Sequence, residues 1–200
     1  MTTERAAGEA GAQAAFDSKA LRGALGNFAT GVTVITARTP AGEKVGVTAN
    51  SFNSVSLDPP LVLWSLGRKS RSLPAYSAAD HFAVNVLAAD QVSLSQRFAT
   101  PAEDKFAGVS QQPGAGGAPL LDGCAARFQC RVVHSYEGGD HVIFVGEVVG
   151  FDASGREGLL YYKGGYAVSA AHPATTPRAA GIVPGGFVDD YLDYLLLRCS

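Results

Sequence analysis

Short runs of β-branched and aromatic residues, separated by turns rich in glycine and proline, recur along most of this chain and constrain its fold more than any other feature. Residues 32–36, 61–64 and 82–86 are such runs. Between residues 127 and 132 apolar and polar side chains alternate, a pattern typical of a half-buried strand. Many short strands, few helices and tight glycine-containing turns predict a mainly β fold, an antiparallel barrel.

The remaining segments fit around this barrel. Asp17 is placed to cap a first helix, with Leu21, Leu25 and Phe28 at helical spacing and an end near Gly31. The turn at Pro40 predicts a hairpin between residues 32–36 and 44–48. Further expected elements are listed together: a short helix over 70–79, helical spacing over 90–108 broken at Pro101, a loop over 111–118, and strands at 141–149, 159–162 and 166–168. No strand followed by G-x-G-x-x-G appears, which argues against a Rossmann dinucleotide site.

The two ends of the chain differ in composition from the middle. Residues 1–15 are rich in alanine, glycine and glutamate, and we expect a disordered leader. Residues 16–168 form the single predicted domain. Residues 169–200 are expected to be a linker followed by a short amphipathic helix, with Phe187, Tyr191 and Leu195 on one stripe. That helix is expected to pack on the barrel or on a partner subunit, and a loose tail is the alternative.

Composition excludes several classes of function. Of the 200 residues 46% are hydrophobic and 17% are charged, with 16 basic against 18 acidic residues and a net charge of −2. No basic cluster is available for nucleic acid, and no apolar run is long enough to span a membrane. Three cysteines without a C-x-x-C pair indicate reduced thiols in a cytoplasmic protein. The four histidines lack ligand spacing, so no metal site is expected.

A polar loop lies between two predicted strands, at residues 48–60. Thr48, Asn50 and Ser51 are followed by a Pro59-Pro60 pair and another strand. Hydroxyl, amide and backbone N–H groups of such a loop can bind the polar rim of a planar heterocycle. The alternative is an ordinary polar loop stabilised by Asx and serine turns.

A second polar cluster surrounds the start of the predicted helix at residue 70. Ser65, Gly67, Arg71 and Ser72 supply hydroxyls, a small residue and a guanidinium, which together suit a phosphate group. Arg97, beside Phe98, offers a second cation. The alternative is a capped helix with solvated bases.

These segments together resemble the short-chain flavin reductases, the reductase components of two-component flavin-dependent monooxygenases. The likeness extends in unbroken order over residues 17–168. It rests on the strings Phe28-Ala-Thr-Gly-Val-Thr-Val-Ile-Thr36, Gly46-x-Thr-Ala-x-Ser-Phe-x-Ser-Val-Ser-Leu-x-Pro-Pro-Leu61, Phe82-Ala-Val-Asn-Val-Leu87, Asp104-Lys-Phe-Ala-Gly108, Gly139-Asp-His141 and Tyr161-Tyr-Lys-Gly164.

The resemblance implies an FMN-binding split β-barrel, Greek-key-like and usually a homodimer, that reduces FMN or FAD with NADH or NADPH. The flavin ring and ribityl chain would lie against Lys44, Val45, Gly46, Val47, Thr48, Asn50 and Ser51. The phosphate side would be held by Ser65, Leu66, Gly67, Arg71 and Ser72, with Arg97 and Phe98 closing over it. The nicotinamide nucleotide would meet His141, Tyr161, Tyr162, Lys163 and Gly164. The family often has arginine where Lys163 stands, so a point charge replaces a planar fork there.

The chemistry implied by the resemblance is consistent with the absence of a nucleophile motif from the sequence. Hydride transfer from nicotinamide to flavin needs two stacked rings and no protein nucleophile, so the absence of a serine–histidine–aspartate set is consistent with it. His141 is the candidate catalytic residue, able to bind the nucleotide or relay a proton, and a solvated turn histidine is the alternative. The predicted function is an NAD(P)H:flavin oxidoreductase, with NADH favoured, that supplies a partner monooxygenase. The alternatives are a non-catalytic flavin carrier or sensor, and a flavoprotein that passes electrons to another acceptor.

Overall fold

The computed structural model describes residues 17–172, and strands dominate them. The helices are α1 (Ser18–Leu25), α2 (Leu73–Ala78) and α3 (Val92–Ala99). The strands are β1 (Thr30–Gly31), β2 (Thr33–Arg38), β3 (Lys44–Ala49), β4 (Asn53–Leu57), β5 (Pro60–Gly67), β6 (His81–Val86), β7 (Gln111–Pro113), β8 (Pro119–Leu121), β9 (Ala126–Gly138), β10 (His141–Ala153), β11 (Leu160–Tyr162) and β12 (Gly165–Ala167).

Seven strands form one antiparallel sheet, in the order β3-β2-β6-β9-β10-β5-β4. The long hairpin of β9 and β10 is its centre, and register shifts between Val145 and Gly146 and between Val148 and Gly150 bend it. The end of β3 returns to β5, where Ser51 and Ser65 are hydrogen-bonded, so the sheet curls on itself. A second sheet, β1-β11-β12, and the short β7-β8 pair complete the fold. The predicted mainly β, antiparallel barrel is confirmed.

Aromatic side chains fill the barrel interior. Trp64 is fully buried, as the apolar character of its strand predicts, and it stacks on Phe144 with ring centroids 4.9 Å apart. Tyr76 of α2 meets the same indole edge-on at 4.9 Å. Its hydroxyl donates to the main-chain oxygen of Ile35 at 2.6 Å, so the buried polar atom is satisfied. This contact ties α2 to the wall of the barrel.

The first helix begins as predicted and ends earlier than predicted. The Asp17 side chain accepts a hydrogen bond from the Lys19 N–H at 2.9 Å, as a helix cap does. The end lies at Leu25, because the Asn27 side chain donates to the Gly23 and Ala24 carbonyls at 3.1 and 3.2 Å. These bonds satisfy carbonyls of the last turn. The chain then extends into β1 instead of continuing as a helix to Gly31.

Two predicted loops contain strands. Asn53–Leu57, expected to belong to a polar loop, pairs with β5 as an edge strand across the Asp58-Pro59 turn. The alternation of Val55 and Leu57 did not indicate a strand, because the other residues of that segment are polar. Residues 111–113, at the start of the loop expected over 111–118, pair with residues 119–121, which follow it. Helical structure within 90–108 is confined to Val92–Ala99.

The ends of the chain bear on three predictions. The predicted leader, residues 1–15, and the predicted helix around Tyr191 lie outside the described residues. Of the predicted linker, only residues 169–172 are described, and they form neither helix nor strand. Across residues 17–172, no helix is both long and apolar enough to cross a membrane.

Candidate functional site

A cleft of about 360 Å³ opens where the β3–β4 connection faces β1, and we call it the loop cleft. It is lined by Phe28, Ala29, Thr30, Gly31, Asn50, Ser51, Phe52 and Asn53. The Thr30 hydroxyl is buried there and has no hydrogen-bond partner in the described chain. A buried hydroxyl without a partner costs free energy unless a ligand or water satisfies it. The predicted residues Asn50 and Ser51 therefore share a cleft with Thr30, which the resemblance covered without assigning it a role.

Ser51 joins the predicted ring-binding and phosphate-binding segments. Its hydroxyl donates to the Ser65 main-chain oxygen at 3.1 Å and accepts from the Ser65 N–H at 3.0 Å. The bonds mimic one step of a β-ladder between the β3–β4 connection and β5. The structure thus brings Ser51 and Ser65 together. The hydroxyl proton of Ser51 is used in the bond to Ser65 and is not available to a ligand.

The side chains of β3 divide between two faces. Val45 and Val47 pack in the barrel core, and so does Leu66 of β5. Thr48 points to the other face, where its hydroxyl donates to the Ser95 main-chain oxygen of α3 at 2.6 Å. Lys44, at the start of the strand, is exposed.

Phe98 differs from its predicted place over the ligand. Its side chain is fully buried behind β3. A β-carbon on Gly46 would lie 2.6 Å from Phe98 Cδ1 and closer still to Cε1, so only glycine leaves room for this ring. Phe106 packs edge-on against it at 5.0 Å. Phe98 therefore supports the strand from behind, because a fully buried ring has no free face for a ligand.

Two cationic side chains lie near the Phe98 end of α3. Arg97 is exposed, and its guanidinium donates to the Ala107 main-chain oxygen at 2.6 Å. Lys105, from the Asp104-Lys105-Phe106 string, donates to Gly46 O at 3.3 Å and to Phe98 O at 2.7 Å. Burial lowers the pKa of Lys105. The ammonium thus joins β3 to the last turn of α3, where a cation is favourable.

Arg71 and Ser72 line a second cleft, which we call the arginine cleft. It measures about 600 Å³ and lies between α2 and the β2–β3 turn. Its lining residues are Thr39, Pro40, Ala41, Glu43, Val45, Arg71, Ser72, Pro74, Ala75 and Ala78. Arg71 is the only cation among them, and no ion pair or hydrogen bond within residues 17–172 engages its guanidinium. The Ser72 hydroxyl makes no helix-capping bond. Both groups are therefore free to bind an anion.

His141 lies at the first residue of β10, directly opposite Gly67 of β5. Its Nδ1 is 2.7 Å from Asp140 Oδ1. The hydrogen bond from this ring holds the pKa of Asp140 below its usual range, and the charge of the imidazolium form adds to the effect. If Nδ1 carries the bonded proton, Nε2 is left free on the side of Gly67, where an added β-carbon would be 3.7 Å away. The turn therefore presents an oriented imidazole at the surface.

The second predicted nicotinamide segment lies elsewhere in the chain. Tyr161 pairs with Thr30 of β1, next to the loop cleft. Lys163 occupies the left-handed turn between β11 and β12, with φ of 48°, and its ammonium lies 5.2 Å from the Tyr162 ring centroid. Gly164 completes this exposed turn.

His141 and the β11–β12 hairpin are joined to different walls of the loop cleft. The hairpin pairs with β1 through Tyr161 and Thr30, and Thr30 lines the cleft. Ser51, on the other wall, is hydrogen-bonded to Ser65 of β5, and the last residue of β5, Gly67, lies opposite His141. The loop cleft therefore lies between the two predicted nicotinamide segments.

Residues 17–172 contain neither a metal-binding cluster nor a reactive thiol. No group of three His, Cys, Asp or Glu side chains within residues 17–172 is arranged to hold a metal ion. Burial raises the pKa of the Cys124 thiol to about 11 and that of Cys130 to about 12. Both sulfurs are therefore protonated at neutral pH and are poor nucleophiles.

Residues 25–170 match the family described as "Flavin reductase like domain". The chain is 49% identical over 166 residues to the "Probable flavin reductase" of Rhizobium meliloti (strain 1021), an alignment that covers 83% of this chain and 51% of that protein. It is also 49% identical over 150 residues to "FMN reductase (NADH) SmoA" of Agrobacterium fabrum (strain C58 / ATCC 33970), covering 74% of this chain and 84% of the relative. The chain thus spans about half the length of the Rhizobium protein.

Solved structures agree with this likeness. The NADH:FAD oxidoreductase SgcE6 of Streptomyces globisporus C-1027, in complex with NAD and FAD fragments, superposes with a TM-score of 0.74 at 42% identity. The match covers 80% of this chain and 96% of that one. The flavin reductase PheA2 superposes with a TM-score of 0.71 at 39% identity, covering 78% of this chain and all of the other. By sequence match and by fold, the chain belongs to the flavin reductase-like family, whose barrel is the split type that the resemblance implied.

Proposed function

We propose that this protein is an NAD(P)H:flavin oxidoreductase that reduces FMN or FAD, with NADH as the favoured donor, and supplies a separate monooxygenase. The observation that carries the proposal is the position of β3 between two clefts. Val45 lines the arginine cleft, and Asn50, one residue past the strand, lines the loop cleft. The six residues of β3 span roughly 17 Å, which suits an elongated ligand with a ring at one end and a phosphate at the other.

The residues at each end fit a flavin. The unpartnered Thr30 hydroxyl and the exposed Asn50 amide of the loop cleft can bind the polar rim of the ring. The free guanidinium of Arg71 can bind the phosphate. A bound flavin supplies the redox chemistry, since it takes a hydride from the reduced nicotinamide and passes the electron pair on. The protein binds and orients the two rings, and the His141 ring, held by Asp140, can bind the nicotinamide nucleotide.

The names of the relatives support the partner and the donor. SmoA is named an FMN reductase (NADH), and a relative from Mycobacterium tuberculosis (strain ATCC 25618 / H37Rv), 39% identical over 156 residues, is the reductase subunit HsaB of a flavin-dependent monooxygenase. A non-catalytic flavin carrier would have no use for a second nucleotide site. The Asp140–His141 pair therefore favours the enzyme over the carrier.

The direct test is flavin-dependent oxidation of NADH by the purified protein. We expect loss of NADH absorbance only when FMN, FAD or riboflavin is added, at a rate that rises with enzyme concentration. Comparison of the three flavins and of NADH with NADPH identifies the preferred pair. Oxidation that stays at the flavin-only background for every combination would contradict the proposal, and flavin binding without turnover would leave the carrier.

We also propose that the protein is a homodimer. Phe151 and Phe28 are each 74% exposed, and Phe151 stacks on Phe128, which contacts Phe52 of the loop cleft. Apolar rings exposed in this way mark an interaction surface.

Light scattering checks this proposal. We expect twice the mass of one chain at micromolar concentration. We expect Phe151→Glu to shift the mass towards the monomer, because a buried unpaired carboxylate opposes association. The exposed Tyr136, on the strand paired with β10, supplies the matched control Tyr136→Glu. A monomeric wild-type protein would refute the dimer.

A further inference from the structure

A chain of hydrogen bonds runs from the predicted flavin strand to the β11–β12 hairpin. The Thr48 hydroxyl donates to the main-chain oxygen of Ser95 at 2.6 Å. The Tyr166 hydroxyl, on β12, donates to Ser95 Oγ at 3.0 Å. Ser95 is fully buried in α3, and Tyr166 provides the one side-chain hydrogen bond to its hydroxyl within residues 17–172.

The bond to Ser95 determines which groups of a ligand the Thr48 hydroxyl can bind. A hydroxyl carries one proton and two lone pairs, and the Thr48 proton is already donated to the main-chain oxygen of Ser95. Towards a ligand the oxygen can therefore only accept. On a flavin the matching donors are the ring N3–H and the ribityl hydroxyls, whereas the ring carbonyls must take their bonds from other groups.

The position of Ser95 depends on two supports. On one side α3 is held against β3, since Phe98 packs behind Gly46 and Lys105 bridges Gly46 O and Phe98 O. On the other side Tyr166 holds the Ser95 hydroxyl. Tyr166 lies directly opposite Tyr161, in the hairpin that the resemblance assigns to nicotinamide. Its hydroxyl, however, donates to Ser95 of α3, the helix that packs on the predicted flavin strand.

We propose that Ser95 and Tyr166 are positioning residues that hold Thr48 as an acceptor for a hydrogen-bond donor of the flavin. The inference rests on the proposed function and deepens it. Tyr166 thereby acts on flavin affinity through Ser95, although it belongs to the hairpin assigned to nicotinamide. It needs no contact with either nucleotide.

Four variants of the full chain separate this role from a structural one. Tyr166→Phe and Ser95→Ala remove one hydroxyl each, Thr48→Val removes the acceptor, and Thr48→Ser keeps it. We expect the first three to raise the FMN dissociation constant about 3- to 10-fold, the usual range for one hydrogen bond. Thr48→Ser retains near wild-type affinity. The KM for NADH at saturating FMN stays within about 2-fold. Tyr136→Phe, which removes a hydroxyl from a distant strand, is the control and leaves both constants unchanged.

The double variant Thr48→Val/Tyr166→Phe tests whether the residues act through one contact. We expect it to bind FMN no more weakly than Thr48→Val alone. Two analogues identify the donor, because N3-methyl FMN lacks the ring N3–H and a deoxyribityl FMN lacks a ribityl hydroxyl. We expect Thr48→Val and the wild type to bind equally well the analogue that lacks the donor to Thr48.

Each contrary result has a distinct meaning. Independent, additive effects of the two substitutions would overturn the inference, as would Tyr166→Phe that raises the NADH KM and spares FMN. Equal losses with both analogues would also overturn it. Wild-type protein that binds no flavin overturns the proposed function along with it, whereas an active wild type with unchanged variants overturns this inference alone.

Discussion

Phe98→Ala is expected to lower the free energy of unfolding by about 3–5 kcal/mol, the usual range for removal of a buried aromatic ring. The side chain is fully buried, and it fills the space that the missing side chain of Gly46 leaves behind β3. The cavity would lie directly behind the strand proposed to bind flavin. We therefore expect loss of FMN affinity as well as stability, measured by urea unfolding and by fluorescence titration at low temperature.

Gln96→Ala, on the exposed face of the same helix, is the matched control and should change stability by less than about 0.5 kcal/mol. Phe98→Leu should fall between the two, because leucine leaves a smaller void. A loss below about 1 kcal/mol for Phe98→Ala would mean that the ring is not the support described here.

Arg71→Ala is expected to weaken FMN binding roughly 10- to 100-fold, since a charge-assisted hydrogen bond contributes about 1.5–3 kcal/mol. The guanidinium is the only cation that lines the arginine cleft, and it forms no ion pair with a carboxylate of residues 17–172. Riboflavin, which has no phosphate, should bind the variant and the wild type equally. Arg68→Ala is the matched control, because the neighbouring Arg68 is already paired with Glu137 at 2.9 Å.

His141→Ala should show the opposite profile, with a raised KM for NADH and unchanged FMN affinity. His141 lies on the β9–β10 turn, whereas Arg71 lines the arginine cleft beside α2. Steady-state kinetics at saturating FMN and flavin titration without NADH separate the two constants. Identical profiles for the two variants, or weakened riboflavin binding by Arg71→Ala, would contradict this division of roles.

The sequence predicted the barrel because β-branched runs and alternating apolar and polar residues mark most of its strands within a few consecutive positions. Alternation over residues 127–132 anticipates part of β9, and Asp17 caps α1 as its side chain chemistry requires. The edge strand β4 was missed, since an edge strand needs few apolar residues and its serines and asparagine are typical of a loop.

The arrangement of the site depended on contacts between distant segments, which no local pattern contains. Phe98 at helical spacing gives no sign that it packs behind Gly46, fifty-two positions earlier. Ser95 has the appearance of a surface serine, and only the packing of α3 on β3 shows it to be buried between two hydroxyl donors.

Under the proposed function, the burial of the two described cysteines has a consequence in the presence of dioxygen. Reduced flavin released from the protein reacts with dioxygen, and the product of that reaction is hydrogen peroxide. Peroxide oxidises exposed thiolates first, whereas Cys124 and Cys130 are buried thiols whose pKa values lie near 11 and 12. Neither sulfur is in the state that peroxide attacks, so at these two positions the protein resists damage from its own by-product.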